Sequence, residues 1–117
     1  MVLVDTSVWI DHLRKNDQHL QLLLLDGEVV CHSLIIAELV CGNLKNREEI
    51  IGLLQALPMA PEIDFEEHLY FVEEHNLFGK GIGYIDIQLL ASAKLSQTSL
   101  LTLDKRLKAI AVEFSFN

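Results

Sequence analysis

The chain has 117 residues, of which 50% are apolar and 22% charged, and it carries a formal charge of −8 at neutral pH. A domain of this size buries roughly 65% of its unfolded surface, so one real core is expected and a disordered chain is excluded. The acidic balance excludes a passive binder that coats phosphates with basic side chains, while leaving open an enzyme that reaches phosphate through a cation, or a protein that takes a basic partner.

No apolar run approaches the ~18 residues needed to span a bilayer, and the opening MVLVDTS has no basic n-region and no small-residue cleavage site. Residues 1–117 are therefore expected to form a single domain that stays in the cytoplasm, without membrane contact. Cys31 and Cys41 form no CxxC motif and sit in apolar contexts, VVCHS and LVCGN, which predicts buried free thiols. The histidines show no zinc spacing and are expected at the surface.

Val2–Asp5 reads as a short buried strand, apolar, β-branched and ended by turn-formers. Ser7 to Arg14 reads as a helix with an apolar face of Val8, Trp9, Ile10 and Leu13, capped by Asp5 or Thr6. Asp17 to Leu25 is a second helical run, stopped at Asp26-Gly27, and Glu28–Cys31 is a candidate strand. Ser33 to Cys41 (SLIIAELVC) is apolar almost all round except for Glu38. Asn46 to Leu57 is amphipathic, with Ile50, Ile51, Leu53, Leu54 and Leu57 on one side.

Pro58 and Pro61 bracket a connection. Asp64 and Glu67 form a capping box opening a helix that carries Phe65, Leu69, Phe71 and Val72 inward. Gly79, Gly81 and Gly83 mark a flexible connection. A helix then runs from Tyr84 or Ile85 to Gln97, followed by a strand at Ser99–Leu103, a short helix from Asp104 to Ala111, and a last strand at Val112–Phe116. Strands interleaved with helices predict an α/β domain with a small parallel sheet, right-handed crossovers and helices on both faces.

Four acids stand where a solvated surface would not put them. Asp5 and Asp104 each follow an apolar strand and precede a helix. Glu38 and Asp86 lie in very apolar helices, where a carboxylate either points into a site or is costly to bury. Ligands of parallel α/β sheets gather at the carboxyl ends of the strands. If the strands before Asp5 and Asp104 are neighbours, those two carboxylates face one place. Converging carboxylates raise one another's pKa unless a hard cation such as Mg2+ or Mn2+ joins them. Each acid also has a plainer reading: a helix cap for Asp5 and Asp104, a dipole partner for Asp86, an exposed stripe for Glu38. Thr6, Ser7 and Thr102 add hydroxyls beside the acids. Arg14, Lys15, Lys80, Lys105, Arg106 and Lys108 are candidate phosphate contacts, with Lys105-Arg106 directly after Asp104. Trp9, Phe71 and Tyr84 read as core or dimer contacts rather than base-stacking platforms.

The opening VDTS, the isolated Glu38, the block GIGYIDIQLLASA and the late LLTLD, in this order, resemble the PIN-domain nucleases, and within them the VapC-type toxins of toxin–antitoxin modules. The resemblance spans essentially the whole chain. It implies a three-layer α/β/α sandwich with a small central parallel sheet, and a Mg2+- or Mn2+-dependent endoribonuclease. It maps the catalytic and metal-binding quartet onto Asp5, Glu38, Asp86 and Asp104. It also implies an RNA substrate, a homodimer, and a small antitoxin whose C-terminal segment occupies the active-site groove. Two positions depart from the pattern, Ile85 before Asp86 and Leu107 after Asp104, both of them packing positions. The alternatives are a phosphoacceptor receiver-type domain and a catalytically idle binding module of the same fold. The receiver needs paired acids after its first strand and an Asp ending a central one. Only Asp5 follows the first strand here, and LLQALPMAP offers no Asp.

Overall fold

The computed structural model describes residues 1–114. In chain order the elements are β1 (Val2–Val4), α1 (Thr6–Lys15), α2 (Gln18–Leu25), β2 (Val29–Val30), α3 (Ser33–Leu39), α4 (Arg47–Gln55), α5 (Phe65–Glu74), α6 (Tyr84–Ser96), β3 (Ser99–Leu101) and α7 (Lys105–Glu113). The three strands form one parallel sheet in the order β2-β1-β3. Val2 pairs with Val29 and Ser99, and Leu3 with Val30 and Leu100, so β1 is central. This is the expected α/β class: a small parallel sheet whose connections are helices.

The sheet is extended by a feature the sequence did not announce. Cys31 bridges Met59 in parallel fashion, with Cys31 N–H donating to the Pro58 carbonyl and Ala60 N–H to that of Cys31, both at 2.8 Å. The segment between the two prolines is thus a fragment of edge strand. Pro58 contributes a carbonyl there and needs no N–H, which is where a proline can sit in a sheet.

Helix starts follow the side chains that can accept from free backbone N–H groups. Asp5, Asp17 and Asp104 accept from Thr6, Leu20 and Leu107 at 2.8, 3.0 and 3.0 Å. Asp64 and Glu67 form the predicted capping box, at 2.8 and 2.9 Å. Helix stops use left-handed residues at Asn16 and Gln97.

Burial divides into two apolar clusters. One joins Leu3, Val4, Trp9, Leu20, Ile35 and Leu89; the other joins Phe71, Leu77, Leu90, Leu107 and Ile110. Helix α6 contributes to both and is buried at every position from Ile87 to Ala93, as its all-round apolar sequence requires. Ile85 and Leu107, the two departures from the family pattern, are packing residues here.

Several expectations need correction. Val112 and Glu113 continue α7 rather than opening a last strand, and Ser115 and Phe116 lie outside the described residues. Phe65 and Leu69 are exposed while Phe71 is buried. Leu69 and Phe71 are about 200° apart on a helical wheel, so they cannot share one inward face. Leu53 is exposed at the edge of its stripe, and Ile10 and Leu13 sit at the exposed border of α1. Cys41 is exposed, because α3 ends at Leu39 and the chain turns outward. Cys31 is buried as expected.

His32 is the largest departure among the histidines. It is fully buried, and its ring Nδ1 accepts from Leu34 N–H at the start of α3 (3.0 Å). That leaves Nε2–H to donate to Ser92 Oγ at 3.0 Å, while the Ser92 hydroxyl donates to the Pro61 carbonyl. The relay ties α3, α6 and the edge segment together, and burial holds the His32 pKa below its ordinary value against the pull of Glu62.

Candidate active site

Strands β1 and β3 are neighbours, which places Asp5 and Asp104 at the same edge of the sheet, past the strands' carboxyl ends. The ladder continues one step beyond them, Asp5 N–H donating to the Leu101 carbonyl at 2.9 Å.

Asp5 is nearly buried, and both its oxygens are engaged. Oδ1 accepts from Thr6 N–H at 2.8 Å, and Oδ2 accepts the Thr102 hydroxyl at 2.7 Å and the Ser7 hydroxyl at 2.9 Å. The two hydroxyls in turn accept backbone N–H groups. Leu103 donates to Ser7 Oγ and Asp104 to Thr102 Oγ1, each at 3.1 Å. The carboxylate at the seam between β1 and α1 is therefore locked in place by the chain that carries Asp104.

Glu38 joins from α3. It is exposed, so it is not a buried charge, yet it is oriented: Thr6 Oγ1 donates to its Oε1 at 2.7 Å. One residue step, from Asp5 to Thr6, thus connects two of the four acids. Thr6, Ser7 and Thr102, predicted as supporting hydroxyls, all bind site carboxylates.

Asp86 sits in the first turn of α6, half-buried, with Oδ2 accepting from Gly83 N–H at 3.3 Å. Burial raises its pKa, the Gly83 bond opposes this, and the charges of Asp5, Asp104 and Glu38 each raise it further. All four predicted acids therefore act within one local field.

The donor set is carboxylate and hydroxyl oxygen throughout, the chemistry of a hard divalent cation. Among the described residues, no three His, Cys, Asp or Glu side chains are gathered closely enough to hold an ion by themselves. An ion such as Mg2+ keeps several waters and takes only one or two carboxylates directly. In the chemistry of their donor atoms the residues present fit such an ion.

The candidate cations divide. Arg106 lies across the Gly81 backbone in the loop leading to Asp86; a Cβ on Gly81 would come within 2.6 Å of its guanidinium. Lys15 pairs with Asp11 at 3.8 Å on the surface of α1, and Lys108 lines a separate cavity of about 220 Å³ with Leu90, Thr98 and Phe114. Lys105 and Lys80 are exposed near Asp104 and Gly81 in the chain. Trp9 and Phe71 are core residues, whereas Tyr84 is exposed and rests its ring on His68 at 4.9 Å. Sequence reasoning missed the His32–Ser92 relay and the seat of Arg106 on Gly81. The signal for the first was a histidine in the helix-capping position before SLII.

A small parallel sheet with Asp5 and Asp104 past its carboxyl ends, and with Glu38 bonded to the residue after Asp5, defines an acidic-site α/β domain, and the PIN domain model matches residues 2–113. The chain belongs to the PIN-domain family. It is similar to the proteins named Ribonuclease VapC32 of Mycobacterium tuberculosis, strains CDC 1551 / Oshkosh and ATCC 25618 / H37Rv. Each is 46% identical over 114 residues, covering 97% of this chain and 92% of the relative.

Proposed function

We propose that this chain is a divalent-metal-dependent endoribonuclease and the toxin of a toxin–antitoxin pair. Family membership and the ribonuclease relatives support the class of activity. The observation that carries the reading is the Asp5-centred network, which ties Glu38 and the Thr102–Asp104 segment to one carboxylate while Asp86 feels the charge of all three.

Asp5, Glu38 and Asp86 would hold Mg2+ or Mn2+, directly or through water, with Asp104 orienting an attacking water or holding a second ion. When bound, the ion supplies charge neutralisation at the phosphoryl group and acidifies a water for in-line attack. The chain's own part is orientation. Ser7 and Thr102 fix the Asp5 carboxylate, Thr6 fixes Glu38, and Gly83 N–H fixes Asp86. Arg106, Lys105 and the exposed Lys80 offer phosphate contacts at the border. A metal-mediated route of this kind leaves 5′-phosphate and 3′-hydroxyl ends, which are the products expected.

The RNA substrate and a small antitoxin are the partners of this reading, in the cytoplasm. A second copy would cover the apolar side chains that α5 and α6 leave exposed, among them Phe65, Tyr70 and Leu95. No helix among the described residues is long and apolar enough to cross a membrane.

The test is RNA cleavage by purified protein in Mg2+ or Mn2+. Asp5→Asn and Glu38→Gln should each abolish cleavage while the circular dichroism spectrum stays unchanged. Cleavage by either variant equal to that of the unmodified chain would overturn the roles assigned.

A further inference from the structure

A cavity of about 610 Å³ opens between α1, the end of α3 and the start of α4, and Glu38 forms part of its wall. Ile10, Leu13, Leu39, Leu44 and Ile50 give it an apolar lining, and Arg14, Asn43, Lys45 and Asn46 share that lining with Glu38. Its size is that of an ordinary small-molecule pocket, roughly 300–1,000 Å³, and ample for one nucleotide.

The polar groups around it are uncommitted. Among the described residues neither Arg14 nor Lys45 has an ion pair or a side-chain hydrogen bond, although acids outnumber bases 17 to 9 in the chain. Asn46 occupies the N-cap of α4, where its side chain would ordinarily accept a backbone N–H. It adopts φ 52° instead and makes no capping bond. The loop does not need these amides for support, because Arg47 holds it by donating to the Gly42 and Val40 carbonyls.

Two cations suit phosphates, and two carboxamides, each with donors and an acceptor, suit the edge of an unpaired base. The apolar lining accepts the face of that base. A purely apolar partner would offer nothing to the two cations and two carboxamides, so charge complementarity favours the phosphates and base of RNA.

We propose that this cavity binds the RNA nucleotide flanking the scissile phosphate, with Arg14 and Lys45 on its phosphates and Asn43 and Asn46 reading its base. The inference rests on the ribonuclease reading and adds to it the place where the sequence next to the cut is selected. Glu38 joins the two, since it belongs both to the acid set and to the cavity wall.

The experiment uses the full chain with Mn2+ and a short oligoribonucleotide library randomised around the cut, scored by sequencing the cleaved ends and by steady-state kinetics. The combined change Asn43→Ala and Asn46→Ala should flatten the preference for one flanking base by about tenfold. Arg14→Gln with Lys45→Gln should raise KM about tenfold with kcat within a factor of about two, and lower the salt slope of KM by ~1.4, at about 0.7 per phosphate contact on a single strand. All four residues are exposed, so melting temperatures should stay within a few degrees; Lys45→Gln alone provides a second, milder reading of KM. Unchanged base preference and unchanged KM across these variants would overturn the subsite while leaving the nuclease intact. Variants that keep RNA kinetics but lose a bound antitoxin would also overturn it, giving the cavity to a protein. No RNA cleavage by the unmodified chain would remove the ribonuclease reading and this inference with it.

Discussion

Thr6→Val separates the orientation of Glu38 from its charge. The substitution keeps the β-branched shape and the helix start but deletes the hydroxyl that donates to Glu38 Oε1 at 2.7 Å. A hydrogen bond to a charged group contributes about 1.5–3 kcal/mol in general. Glu38 is exposed and Thr6 half-buried, so solvent screening brings this to the lower end, about 1–1.5 kcal/mol. If Glu38 must be held for the reaction, kcat/KM should fall about tenfold, since 1.36 kcal/mol is a factor of ten. Thr6→Ser retains the donor and should stay within about twofold of the unmodified chain on the same scale. The assay is kcat/KM on a quenched fluorescent RNA across a Mn2+ titration, with the melting temperature measured in parallel. The reasoning is refuted if Val and Ser at this position give equal rates, or if Val loses activity only in proportion to lost folded protein.

Asp104→Asn should keep the cap of α7, because asparagine caps as well as aspartate, and should still lose most cleavage; Asp104→Ala should lose the cap as well, about 1 kcal/mol by urea titration. Gly81→Ala adds a Cβ against Arg106 at a φ of +78°, and should cost about 1–2 kcal/mol in the same titration. The depressed pKa of His32 sets an acid limit on stability. Below its ordinary value the unfolded chain takes up the proton first, so stability should fall as pH drops from about 6.5. His75 is depressed in the same direction, again chiefly by burial. Melting curves from neutral to acid pH should therefore show a shallower loss in His32→Gln, at the cost of a lower starting stability, and parallel slopes would refute the assignment.

The class of fold was legible, and four acids could be singled out as candidates, because each leaves a local mark: an apolar strand broken by an acid, or an acid alone in an apolar helix. Facing was less legible. The α5 stripe was misjudged because Phe65, Leu69, Phe71 and Val72 are all apolar, and only packing against α6 selects Phe71 over Leu69. The edge segment at Met59 was hidden by flanking prolines, which argue against a strand unless one edge alone is used. His32 looked like a surface residue because its partners, Ser92 and Pro61, are distant in the chain. Contacts of that range set what is buried, and periodicity does not encode them.

For Asp5, Asp86 and Asp104 a helix-start hydrogen bond is compatible with the proposed role as functional carboxylates. Asp104 and Asp86 each use one oxygen structurally, Asp104 Oδ1 on Leu107 N–H and Asp86 Oδ2 on Gly83 N–H, whereas Asp5 uses Oδ1 on Thr6 N–H and Oδ2 on the Ser7 and Thr102 hydroxyls. A carboxylate has two oxygens and about four acceptor sites, so the capping bond fixes the group's direction and leaves acceptor capacity over. Glu38 achieves the same through the Thr6 hydroxyl on Oε1. The backbone N–H groups at helix starts thus serve as clamps that fix the direction of these carboxylates. Burial raises the pKa of Asp86, against the Gly83 bond, and the charges of Asp5, Asp104 and Glu38 add to that rise. If the site holds a divalent ion as proposed, Mg2+ or Mn2+ should raise the melting temperature of the folded chain, since a ligand that binds only the folded state stabilises it; a melting temperature unchanged across a Mn2+ titration, and equal in Asp86→Asn, would count against the metal role.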